Sequence, residues 1–139
     1  MSKEQYKIKN YSPKFAKKTV TVMRKVNQRD SDVLIKDNFD EQVTHFKNVV
    51  AKKYDMRIVT SFNERTIYGV VIFDQNQLID LLVDPAKKSL GISETLVNIV
   101  KNQSNGNLVC DTSNRQLSAF LSQTGFQNIA TNHFVWKQN

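Results

Sequence analysis

The sequence predicts a mixed α/β fold of the α+β kind: a mostly antiparallel sheet with one central parallel strand pair, flanked by about four helices. Three observations predict it. Apolar residues recur at helical spacing up to Lys53, and the pattern then shifts to short β-branched and aromatic runs from Arg57. A strand–helix–strand unit from Gln77 to Cys110 follows, which implies a parallel pair because such a crossover returns the chain in the same direction.

Each element has its own signal. Ser12 before Pro13 offers a side-chain acceptor at a helix cap, with proline where its missing N–H costs nothing. Phe15, Thr19, Val22 and Val26 carry the apolar face as far as about Asn27. Asn38 with Glu41 forms a capping-box-like start, and Phe39, Val43, Phe46 and Val50 supply the stripe of a second helix ending near Lys53. Arg57 to Ser61, Thr66 to Phe73 and Gln77 to Val83 read as a three-stranded meander, turned at Asn63-Glu64-Arg65 and Asp74-Gln75-Asn76. After Pro85, Ile92, Leu96, Ile99 and Val100 mark a helix that Asn105-Gly106-Asn107 ends, and Leu108-Val109-Cys110 is a short buried strand. A helix from Ser113 to Gln123 stops at Gly125, and strands at about Phe126 to Ala130 and His133 to Lys137 finish the order.

A chain of 139 residues with 40% hydrophobic content is expected to form one domain over residues 1–139, without metals or disulfides. The single cysteine precludes an internal disulfide, and no Cys/His cluster has zinc-like spacing, so cytoplasm is the expected compartment. MSKEQYKIKNYS lacks an apolar h-region, and no run of about 18 apolar residues occurs, so neither secretion nor membrane spanning is expected. The net charge of +7 is concentrated in Lys3, Lys7, Lys9, Lys14, Lys17, Lys18, Arg24, Lys25 and Arg29. With little aromatic interleaving to stack bases, this stretch reads as a solvated face and not as a nucleic-acid groove.

Leu81 to Leu96 is the most informative segment, because a strand there ends in a short polar loop that passes straight into a helix. Such a junction gathers unpaired backbone N–H groups at the positive end of a helix dipole and suits a phosphate or pyrophosphate. Lys87 and Lys88 add charge at its mouth. Taken alone, the same loop also reads as an ordinary lysine-bearing turn.

The segment resembles the acetyl-CoA signature of the GNAT superfamily, a Val-x-Pro strand end followed by Arg/Gln-x-x-Gly-x-Gly/Ala and a Leu-containing helix. Val83, Pro85, Lys88, Gly91, Ser93 and Leu96 occupy those places in register, with Lys88 for the usual Arg or Gln and Ser93 for the last small residue. Asp111 to Phe126 resembles that family's downstream element, in which an Asn, here Asn114, opens a helix closing with Gly125-Phe126, and Gly69 falls where the family often carries glycine. The resemblance spans about residues 57 to 137 and implies acetyl-CoA as co-substrate, with no metal. The amides of Lys88, Ser89, Leu90, Gly91, Ile92 and Ser93 would hold the pyrophosphate. Main-chain groups of Leu81 and Val83 would pair with the pantetheine arm between splayed parallel strands, and Asn114 would touch the cofactor near the same cleft. Homodimers are common in that family, which makes a homodimer an expectation here.

The acid–base residues follow the family pattern less closely. Many members place a tyrosine four residues before the glycine of the Gly-Phe pair as acid to the leaving thiolate, and this chain has Leu121 there. Asp80 is the nearest acidic candidate for a base, and its alternative is an ordinary solvated or paired carboxylate. His45 and His133 have no metal partner at helical or strand spacing and read as structural or solvent-facing, while Cys110 reads as core. Trp136, Phe134 and Phe126 also read as core.

The resemblance therefore implies an N-acetyltransferase that moves an acetyl group from acetyl-CoA to an amine of a small molecule or protein by direct attack. The alternative is a catalytically degenerate relative that binds an acyl-CoA or a protein partner as a regulatory module, for which Leu121, Lys88 and Ser93 argue. A basic nucleic-acid binder rests on charge alone.

Overall fold

The computed structural model describes residues 5–27 and 38–138, so Lys3 and Arg29 of the basic stretch lie outside the described residues. The described chain runs β1 (Tyr6–Asn10), a 3-10 turn (Pro13–Phe15), α1 (Ala16–Asn27) and α2 (Phe39–His45). A π turn (Phe46–Val50) leads into α3 (Ala51–Lys53), and β2 (Asp55–Ser61), β3 (Ile67–Phe73) and β4 (Leu78–Val83) follow. A 3-10 helix (Pro85–Leu90) leads into α4 (Ile92–Gln103), β5 (Asn107–Asp111), α5 (Arg115–Gln123), β6 (Gln127–Ala130) and β7 (His133–Lys137).

The meander forms as its patterning predicts, with β1-β2-β3-β4 as a four-stranded antiparallel sheet. β1 is an addition. Tyr6-Lys7-Ile8-Lys9-Asn10 does alternate apolar with basic, but the lysines read as solvated charge. In the fold, both Lys7 (3.1 Å) and Lys9 (2.9 Å) pair with Glu64 in the β2–β3 turn. Those two lysines hold the Glu64 carboxyl at about 2, well below its usual range. They thus serve as ties between the edge strand and a turn whose Glu64 has φ of 63°.

The predicted parallel pair is the main correction. β4 and β5 meet at one parallel bridge, Gln77 with Val109, and β5 otherwise pairs antiparallel with β7 in a separate three-stranded sheet, β5-β7-β6. The strand–helix–strand crossover is present. Its two strands touch at one point and diverge before a ladder forms.

Two apolar cores sit on opposite faces of the meander. On one face Val59, Val71, Leu81 and Val83 pack with Ile92, Leu96, Val97 and Val100 of α4, Leu117 and Leu121 of α5, and Leu108 and Cys110 of β5. On the other face Ile58, Val70, Ile72 and Leu82 pack with Phe15, Val20 and Met23 from the first helical segment and with Val43, Phe46 and Val50. The second helix is the predicted one with a π turn inside it, and its Asn38 side chain accepts the Glu41 N–H at 3.0 Å as the capping signal predicts. Gly69 lets α4 settle on the sheet, since a Cβ there would stand 3.1 Å from the Leu82 carbonyl and 3.4 Å from the Ile92 side chain. Among the described residues no helix is long and apolar enough to cross a membrane.

Candidate functional site

The divergence of β4 from β5 creates the site. Asp84 N–H donates to the Tyr68 carbonyl at 2.8 Å, and the register sets Val83 opposite Gly69, Leu82 opposite Val70 and Leu81 opposite Val71. Hydrogen-bonded and non-hydrogen-bonded pairs alternate along an antiparallel ladder. The Tyr68–Asp84 bond therefore assigns Leu82 and Asp80 to the β3 edge and turns the main-chain groups of Leu81 and Val83 to the other edge. That edge faces β5, which the Val109 N–H joins at the Asn76 carbonyl (2.9 Å) and then leaves.

A cleft of about 180 Å³ opens beyond the bridge. Leu81, Leu82 and Val83 form one wall, Lys88, Ser93 and Glu94 the end at the start of α4, and Asn114, Leu117 and Phe120 the α5 side. Val26 of α1 and Gln116 complete it.

The strand-to-helix junction is more tightly wound than an open loop. Asp84 caps the 3-10 helix, its Oδ1 accepting the Ala86 N–H (3.0 Å) while its Oδ2 accepts from Lys25 Nζ of α1 (3.0 Å). Burial alone would raise the Asp84 carboxyl, but the Ala86 N–H and the Lys25 and Lys87 charges outweigh it and hold it below the usual 3.8. Inside a 3-10 helix the amides bond back three residues, and the Gly91 N–H donates to the Lys88 carbonyl at 3.3 Å. Gly91 then turns the chain with φ of 74° and serves as the cap of α4 without a side-chain bond. The amides left without an acceptor among the described residues are those of Ile92, Ser93 and Glu94, the first turn of α4. These three amides overlap the predicted Lys88–Ser93 stretch at Ile92 and Ser93 and extend one residue past it.

Asn114 caps α5, its Oδ1 accepting the Leu117 N–H at 3.1 Å, while its own N–H donates to Thr112 Oγ1 at 3.0 Å. It lines the cleft as well, so capping fixes the side chain there. Asp80 is 1% exposed and does not line the cleft with Leu81 and Val83. Its Oδ1 accepts the Leu81 N–H at 2.9 Å, so it holds one of the donors turned toward the opening. Leu121 is fully buried in the core and contributes no wall.

No sequence-family model matches the chain, and no curated protein matches it in sequence. Solved structures do match in shape. A GNAT-family acetyltransferase from Staphylococcus aureus Mu50 superposes with a TM-score of 0.71 at 15% identity, over 97% of this chain and 100% of that one. The chain has the GNAT fold. A histone acetyltransferase HPA2 and related acetyltransferase from Corynebacterium glutamicum gives 0.72 at 11% identity, over 96% of each chain. A GNAT acetyltransferase from Brucella melitensis, solved in complex with acetyl-CoA, gives 0.64 at 12% identity, over 99% of this chain and 90% of that one.

Within this GNAT fold, the predicted residues divide. Leu81, Val83, Lys88, Ser93 and Asn114 converge on one cleft. Ser89 and Leu90 sit in the 3-10 helix and Gly91 turns the chain, while the Ile92 side chain is core and its amide belongs to the first turn of α4. Glu94, Gln116 and Phe120 were missed, although Gln116 and Phe120 stand one helical turn apart on α5 and Glu94 follows Ser93 directly. Val26 comes from α1 and leaves no local signal.

His133 has a partner that sequence spacing does not show. Its Nδ1–H donates to Asp111 Oδ1 across the β5–β7 pair, an orienting partner 22 residues away in sequence. His45 ends α2 with no such pairing among the described residues, and Cys110 is buried as expected. Phe126 and Phe134 are core, while half-buried Trp136 lies against Lys101 Nζ at 5.0 Å. Among the described residues no cluster of three or more His, Cys, Asp or Glu side chains is placed to hold a metal ion.

Proposed function

We propose that residues 1–139 act as one acyltransferase domain that binds acetyl-CoA in the β4/β5 cleft and transfers its acetyl group to an amine by direct attack. The observation that carries this reading is continuity. The outward main-chain edge of Leu81 and Val83 leads straight to three unpartnered amides at Ile92, Ser93 and Glu94, with Lys88 beside them. An amide-bearing arm ending in a pyrophosphate needs that order of groups, strand edge first and helix N-terminus second. Holding a thioester against a positioned amine converts a bimolecular reaction into a local one, which alone supplies much of the rate.

The fold likeness to GNAT acetyltransferases, one of them bound to acetyl-CoA, supports the co-substrate. The acceptor is an amine of a small molecule or a protein. Calorimetric titration with acetyl-CoA, repeated on Gly91→Asp, tests the reading: binding by the wild type that disappears in the variant supports it, and no binding by the folded wild type removes it.

A second reading has its own observations. Leu121 is core where an acid would stand, and the Glu94 carboxylate reaches within 3.9 Å of the space a Gly91 Cβ would fill, placing negative charge at the start of α4. These favour a module that binds an acyl-CoA and turns it over slowly or not at all. Thiol release measured on the bound complex separates the two.

A further inference from the structure

We propose that Phe120 is the gate of the β4/β5 cleft: in the free protein its ring fills space that the pantetheine arm of an acyl-CoA takes, and it turns aside when the arm enters; this rests on the acetyl-CoA reading above. The observation behind it is size. The cleft holds about 180 Å³, whereas sites that enclose small-molecule ligands run from about 300 Å³ upward. An arm that carries amides and a thioester therefore needs one of the walls to move.

Most of the walls are fixed. Leu81, Leu82, Val83 and Leu117 are each less than a tenth exposed and belong to the two cores. Asn114 is held by its capping bond to the Leu117 N–H. The exposed side chains, Lys88, Glu94 and Gln116, can swing into solvent, but their departure leaves the apolar interior of the cleft as narrow as before. Phe120 differs from all of these. It lines the cleft, is only half-buried, and packs against the core without belonging to it.

The helix gives the ring two places to stand. Side chains on a helix lean toward the turn before their own Cα, so the ring at 120 covers the cleft side of Gln116 and Leu117, one turn earlier on α5. An aromatic side chain in a helix has two favoured χ1 wells, and exchange between them moves the ring sideways without unwinding α5. Leu121, next in sequence, lacks that freedom because it is fully buried.

Closing serves the free protein, since the ring keeps the apolar walls of the cleft out of water. Opening gives that contact up. The affinity for any ligand that carries the arm is therefore reduced by the fraction of molecules in which the ring already stands aside. A ligand that ends at the pyrophosphate leaves the ring where it is.

Calorimetry with three ligands separates a gate from a wall. Acetyl-CoA and CoA carry the arm, while phosphoadenosine diphosphate, the nucleotide half of CoA, carries the pyrophosphate without it. Phe120→Ala is expected to bind acetyl-CoA and CoA several-fold more tightly than the wild type, Phe120→Leu to fall between them, and Phe120→Trp to bind more weakly. Affinity for phosphoadenosine diphosphate is expected to stay the same throughout the series. Phe120→Leu keeps an apolar side chain against the core, so the comparison stands even where Phe120→Ala fails to fold. A ring that is only a wall gives the opposite order, because each truncation removes contact with the arm. That order, an unchanged affinity for acetyl-CoA, or an equal change for phosphoadenosine diphosphate overturns the proposal. Failure of the folded wild type to bind acetyl-CoA at all would instead strike the underlying reading.

Discussion

The Asp80 carboxylate accepts the N–H of Leu81 at 2.9 Å, on the strand edge that β5 leaves open. An amide pointing into a gap between strands needs an acceptor, and the preceding side chain supplies one until a ligand arrives. Removing it has a two-part consequence. Asp80→Ala is expected to destabilise the free protein by at least about 1 kcal/mol, because a buried donor loses its partner. Saturating acetyl-CoA, bringing a carbonyl to that edge, is expected to raise the melting temperature of Asp80→Ala more than that of the wild type. Differential scanning fluorimetry of both proteins checks the order.

Gly91 is the hinge between the 3-10 helix and α4, with φ of 74°. A Cβ there meets nothing closer than 3.9 Å, so Gly91→Ala pays the backbone term alone. Chemical denaturation should show a loss of roughly 1–2 kcal/mol.

Glu94 places a carboxylate beside the three unpartnered amides that the proposed pyrophosphate would use. Glu94→Gln is expected to tighten acetyl-CoA binding several-fold, roughly 1 kcal/mol at low salt and less at high salt, because exposed charges are screened. Titrations at two ionic strengths read both effects.

The Lys25–Asp84 pair ties α1 to the turn that precedes α4. Since the Asp84 carboxyl is held below its ordinary 3.8, its contribution to stability is complete above that pH and disappears as pH falls through the lowered value. Lys25→Met is expected to cost about 0.5 kcal/mol at neutral pH, small because Lys25 is exposed, and to flatten the acid side of the stability profile.

Thr19 is fully buried on α1, and its hydroxyl has no hydrogen-bond partner among the described residues. Thr19→Val keeps the shape and removes an unsatisfied group. An increase of about 0.5–1 kcal/mol in unfolding free energy is expected by denaturant titration.

What was legible in the sequence was local. Asn38 and Asn114 announced their caps, Gly91 and Gly125 their turns, and the β-branched runs their strands, because each signal lies within a few residues of what it specifies. What escaped depended on distance. β1 hid because Lys7 and Lys9 find their reason in Glu64, more than fifty residues on. His133 looked solitary because Asp111 becomes its neighbour only through strand register. The parallel pair was overdrawn for the same cause: crossover topology fixes direction, while the length of the ladder depends on packing distant in sequence. The winding of Pro85–Leu90 into a 3-10 helix escaped for the same cause, since Asp84 caps it while bonded to Lys25 of α1.

The central claim is that acetyl-CoA lies along β4 and ends at α4, and amide chemical-shift mapping with acetyl-CoA tests it most directly. The account predicts shifts concentrated at Leu81, Val83, Ile92, Ser93, Glu94 and Asn114. Shifts confined to Gln127, Ile129 and Trp136 in the larger groove, with the cleft residues unmoved, would contradict it.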